Sequence, residues 1–70
     1  RSSEPAWLTD LTPGRQRVAR LLMEGRSNKS IARILGLSVG TVKVHVHAIL
    51  SATGCSSRFE LLADFRSRRR

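Results

Sequence analysis

The stretch Ser38-Val39-Gly40-Thr41-Val42-Lys43-Val44-His45-Val46-His47-Ala48-Ile49-Leu50 decides how the rest of the chain is read. Plotted as a helix at about 100° per residue, Val42, Val46, Ile49 and Leu50 form one apolar stripe. Gly40, Lys43, Val44, His47 and Ser51 fall on the opposite side. That outer face mixes one fixed cation, one imidazole, one small hydroxyl and one branched aliphatic, whereas a merely solvated helix face is dominated by charged and polar residues such as Glu, Lys and Gln. An α-helix fits the major groove of DNA, where bases offer acceptors to Lys and the thymine methyl offers apolar contact to Val. The pattern predicts a helix packed on one side and reading a duplex on the other.

Composition supports such a partner. Thirteen Lys and Arg stand against five Asp and Glu, a formal net charge of +8, and eleven of the cations are Arg. The excess favours a polyanion, nucleic acid first and an anionic membrane surface second. Seventy residues allow one small domain with a thin core. No apolar run approaches the roughly 20 residues of a membrane span, and no charged-then-apolar secretion signal opens the chain. The single cysteine, Cys55, cannot form an internal disulfide, which suits a reducing cytoplasm. Because residue 1 is Arg rather than Met, we expect a longer parent protein.

Around the central stretch, punctuation marks out three more helices. Residues 1–10 read as a linker tail and an N-terminal edge, with Trp7, Leu8 and Leu11 covering one side of the core. Thr12-Pro13 is a helix start, Thr as cap and Pro where its missing N–H is harmless. Val18, Leu21 and Leu22 follow at helical spacing, and Gly25 supplies the stop. Arg15 occupies the third helical position, where a capping box places Glu, so this first turn is expected to be weakened. Arg17 and Arg20 read as solubilising charge. Ser27 caps a short helix from Asn28 to Leu35 with Ile31, Ala32 and Leu35 inward; Gly36 and Leu37 make the turn, and Ser38 caps the third helix. Two helices joined by so short a glycine-containing turn form a helix-turn-helix.

Thr53-Gly54 closes the third helix, and Ser57-Arg58-Phe59-Glu60 is a capping box for a fourth. Leu61, Leu62 and Phe65, with Phe59 beside them, give this helix an apolar face, core on one side and a dimer seam on the other. Residues 67–70 read as a basic tail that adds non-specific attraction.

In order, Leu11-Thr12-Pro13, Glu24-Gly25-Arg26-Ser27-Asn28-Lys29-Ser30-Ile31-Ala32, Leu37 through Val46, Ile49-Leu50, Gly54 and Ser56-Ser57-Arg58 resemble the LuxR-type helix-turn-helix domain of bacterial transcription regulators. The resemblance covers roughly Leu11 to Asp64, and the domain it implies is placed at residues 11–66. It implies an all-α, compact four-helix domain whose third helix enters the major groove and whose fourth helix pairs two copies. It also implies base-facing roles for Lys43, Val44 and His47, with Gly40 on the same face. Phosphate-side roles are implied for Lys29, Thr41 and Arg58, with Ser38 beside them. The implied partners are double-stranded DNA carrying an inverted-repeat operator, a second copy of the chain, and RNA polymerase; no cofactor or membrane is implied. Three departures stand out: Gly14-Arg15-Gln16-Arg17 where the family has Arg-Glu-x-Glu, Ser30 in place of Glu, and Ser51-Ala52 where Lys or Arg is common.

Residue by residue, alternatives remain. Lys43 reads a guanine or neutralises a phosphate. Val44 meets a thymine methyl or a sugar, and His47 is a base contact or an ordinary surface histidine. His45 projects beside the Val42 stripe and is expected to be packed and hydrogen-bonded. Residues two apart on a helix diverge by roughly 200°, so His45 and His47 cannot share a metal. Cys55 reads as a small buried hydrophobe. Glu60 and Asp64 are surface acids near Arg68, and no nucleophile with its base or phosphate-cradling loop points to an enzyme. Two other functions compete: a promoter-reading domain like region 4 of bacterial sigma factors, and a basic helical module docking an acidic protein or membrane surface. The Lys-Val-His-Val run favours the LuxR type over the sigma type.

Overall fold

A computed structural model describes residues 5–68. A short 3-10 turn, Ala6–Asp10, leads into α1 (Pro13–Met23), α2 (Asn28–Leu35), α3 (Val39–Thr53) and α4 (Arg58–Arg68). The all-α, four-helix architecture is the one the sequence predicts.

Each start is built by the hydroxyl that the sequence offers there. The Thr12, Ser27 and Ser38 side chains accept from the N–H of Arg15, Ser30 and Thr41 at 3.4, 3.1 and 3.1 Å. The longest of the three is at Arg15, although none of these three first turns carries an acid. The α4 box differs from expectation. The Glu60 N–H does bond Ser57 Oγ at 3.2 Å, but the Glu60 carboxylate reaches past Ser57 to the Ser56 N–H at 2.6 Å and the Ser56 hydroxyl at 2.8 Å. One residue further out it finds two donors, and an ionised carboxylate gains more from two than from one.

Helix ends also follow local chemistry. At α1 the Gly25 N–H bonds Leu22 O and the Arg26 N–H bonds Leu21 O, the paired closure of a Schellman motif. Gly36 (φ 70°) stands in the left-handed region, which lets the Leu37 N–H return to Ala32 O at 2.9 Å. The chain bends by 111° between α2 and α3 at this point, within the range of a helix-turn-helix.

Helix α3 packs against α1 and α2, and α4 closes on α1 and α3. The core between them consists of Leu8, Val18, Ala19, Leu22, Ile31, Ala32, Val42, Val46, Ile49 and Leu61, with no polar or charged residue buried among the described residues. The Cα radius of gyration, 11.3 Å, matches the value of about 11 Å for a compact chain of this length, so α4 lies against the body. Among the described residues no single helix is long and apolar enough to cross a membrane.

The two ends of the described chain show how far the packed unit extends. Leu8 is fully buried and Pro5 is also buried, so the packed unit begins before Leu11. Trp7 and Leu11 pack against the same cluster, which explains why this apolar edge folds rather than trailing as linker. At the other end α4 runs on through Arg68, so the expected tail of residues 67–70 is in part helix; Arg69 and Arg70 lie outside the described residues.

Candidate nucleic-acid interface

Burying Val42, Val46 and Ile49 against α1 and α2 fixes the rotation of α3 and turns its other side outward. Gly40, Lys43, Val44, His47 and Ser51 are all exposed, and Val44 keeps 64% of its surface open. From Gly40 to His47 the face runs about 10 Å along the axis. No carboxylate occurs anywhere in α3. An exposed, rigid helix with a cation, an imidazole and an aliphatic side chain on one face can offer hydrogen-bond donors and apolar contact together, as reading base edges requires.

The cap of α3 belongs to this surface. The Ser38 hydroxyl donates to Thr41 Oγ1 at 2.9 Å while its oxygen takes the Thr41 N–H. The Thr41 hydroxyl proton is then left to donate outward. Lys29 is exposed on the first turn of α2, a helix whose N-terminus is itself favourable to anions. Arg33 is exposed on the same helix.

Arg58 is placed differently from the other residues expected at phosphates. It is half-buried; its Nη1 donates to the Arg26 carbonyl at 3.2 Å, and its Nη2 donates to Asn28 Oδ1. Both partners lie at the corner between α1 and α2. Nothing local in the sequence signals this tie, because its ends are 30 and 32 residues apart.

Of the seam residues expected on α4, Leu61 is corrected: at 1% exposure it belongs to the core of its own chain and offers no surface to a second copy. Its position faces α1 and α3, so packing rather than self-association uses it. Leu62 and Phe65 are half-buried. Phe59 is 76% exposed and continues with Leu62, Ala63 and Arg66 at the i, i+3, i+4 and i+7 spacing of one helix stripe. The signal for it was the run of apolar residues wider than one core-facing stripe.

Two smaller expectations are also decided. His45 is half-buried, but its Nδ1 is enclosed without a hydrogen-bond partner, where a hydrogen bond was expected. Cys55 is half-buried against the core at the turn after α3. Glu60 and Asp64 are both exposed.

Comparison with known proteins meets this geometry. The family model for bacterial regulatory proteins of the luxR family matches residues 9–63. A Mycobacterium bovis protein provisionally named as an HTH-type transcriptional regulator is 42% identical over 54 residues, covering 77% of this chain and 6% of that protein. The monoamine regulon transcriptional regulator of Klebsiella aerogenes is 40% identical over 53 residues, covering 76% of this chain and 23% of its own length. The nitrate/nitrite response regulator protein NarL of Escherichia coli is likewise 40% identical over 53 residues, 76% of this chain and 24% of its own. This chain therefore spans less than a quarter of the curated relatives that it matches. No solved structure gives a significant match. Caps, turn and outward α3 face occupy the matched span, and the chain belongs to the luxR family of bacterial regulatory proteins as a DNA-binding helix-turn-helix domain.

Proposed function

We propose that this domain binds duplex DNA sequence-specifically, with the outer face of α3 in the major groove, as the DNA-reading part of a larger transcription regulator in the bacterial cytoplasm. One observation carries the reading: Lys43, Val44 and His47 stand together, exposed, on a rigid face without carboxylates. Gly40 lets that face approach closely, and Lys29, Ser38 and Thr41 line the side where phosphates pass. Lys43 donates to a base edge and Val44 packs on a thymine methyl. Two relatives carry the name of transcriptional regulator, which agrees with a regulatory output.

Two copies pair through Phe59 and Leu62 on α4. A two-fold pair sets its recognition helices about one DNA turn apart and favours an inverted-repeat operator. RNA polymerase is the further partner that transcriptional control entails.

Selection of bound sequences from a random duplex pool tests the reading. The expected product is an enriched motif with two-fold symmetry. If each subunit neutralises on the order of 4 phosphates, log K falls against log salt with a slope of roughly −3.6 per subunit. A pool that yields no preferred motif, or tighter binding to anionic vesicles than to duplex at equal salt, overturns it.

A further inference from the structure

We propose that Arg58 is a positioning residue that ties the dimer helix to the DNA-docking helix. It does so by clasping the corner between α1 and α2, not by contacting a phosphate. This inference rests on the DNA-binding reading above.

Helix α4 packs chiefly on α1 and α3. Arg58, in the first turn of α4, crosses to the first turn of α2 with one terminal nitrogen on Asn28 Oδ1 and the other on the Arg26 carbonyl. A guanidinium is a planar fork of donors, so it can hold two separate acceptors in fixed relation. Those acceptors flank Ser27, whose hydroxyl and carbonyl bind the N–H groups of Ser30 and Ile31 and so begin α2. The neighbour of Asn28 is Lys29, the cation offered to the phosphate backbone. The neighbour of Arg58 is Phe59, at the head of the exposed stripe. Movement of α4 when a second copy docks is thereby conveyed to the helix end that carries Lys29. The guanidinium is directed inward at protein acceptors, and its half-buried position leaves a phosphate contact to Lys29.

Salt titrations of duplex binding, with thermal unfolding and amide exchange, on Arg58→Ala, Arg58→Lys, Asn28→Ala and the Arg58→Ala/Asn28→Ala double variant of the full chain test the proposal. Arg58→Ala is expected to weaken binding on the order of tenfold, the loss of a charge-assisted hydrogen bond, with an unchanged salt slope. Asn28→Ala should weaken binding in the same direction, and the double variant should lose much less than the product of the two single effects. Arg58→Lys should not restore binding, because a point charge cannot bridge both acceptors. A slope shallower by about 0.9, or rescue by Lys, identifies a direct phosphate contact and overturns the proposal. A lower melting temperature with unchanged affinity of the folded domain reduces Arg58 to a structural role and overturns it as well. Should the parent chain bind no duplex, the DNA-binding reading fails by itself. The clasp is then judged by amide exchange, which Arg58→Ala should speed at Ser30 and Ile31; unchanged exchange there overturns it.

Discussion

Helices α3 and α4 each leave a large apolar side chain in the open, Val44 at 64% and Phe59 at 76%, yet their surroundings differ. Around Val44 stand Lys43, His47, Thr41 and Gly40, and α3 has no acid at all. Around Phe59 the helix carries Glu60 and Asp64 together with Arg66 among its exposed residues. A carboxylate repels a phosphate backbone, so the acid-free face of α3 suits a polyanion better than the mixed charges of α4 do. Exposure of an apolar residue marks a surface for use; the charges beside it select the partner.

The comparison presupposes that α3 is held from behind. Ile49→Ala, in the fully buried stripe, is expected to cost about 2–5 kcal/mol, enough to unfold so small a domain near physiological temperature. Calorimetry checks this, and a melting temperature within a few degrees of the parent contradicts the packing assigned to α3.

Phe59→Ala should weaken self-association by about 2 kcal/mol or more while leaving the fold intact, as for an anchor at the centre of an interface. Sedimentation measures the dimer constant. If pairing survives and DNA binding fails instead, the roles assigned to the two helices are exchanged.

Lys43→Ala sharpens the α3 side. A loss of about 1–3 kcal/mol on the selected duplex with relaxed preference at one base pair is expected. Equal losses on selected and random duplexes give Lys43 a phosphate role instead.

Ser38→Ala removes the hydroxyl that starts α3 and should cost roughly 1 kcal/mol of stability in denaturant unfolding. The effect should be larger than that of Thr12→Ala, whose cap bond is longer.

The smallest effect belongs to α4. Hydrogen bonds from the Ser56 N–H and then the Ser56 hydroxyl hold the Glu60 carboxyl below its ordinary value of 4.5. The folded state thus favours the ionised form. The stability this contributes is present above the unfolded value and disappears as pH falls through the lower folded value. Glu60→Gln should flatten that acid limb in a pH series of melting temperatures; an unaltered limb shows that another group sets it.

Much of the molecule is legible along the chain because its signals are local. Thr12-Pro13, Ser27, Ser38, Gly25, Gly36 and Gly54 mark helix ends through bonds that span three to five residues. The outward set Gly40, Lys43, Val44 and His47 follows from helix periodicity once the Val42 stripe is inside. The α4 residues were harder. Leu61, Leu62, Phe65 and Phe59 span an arc of about 160° on the wheel, and periodicity alone cannot choose which part of so wide an arc faces inward. The neighbours α1 and α3 choose, burying Leu61 and leaving Phe59 out.

By itself, then, the order of residues determines four helices, their caps and the character of the α3 face, since each depends on atoms a few positions apart. Tertiary structure alone decides that Leu61 enters the core, that Phe59 remains outside, and that Arg58 turns back to Asn28 and Arg26. Contacts between residues some thirty positions apart leave no periodic trace in a chain; they exist only once the helices have docked.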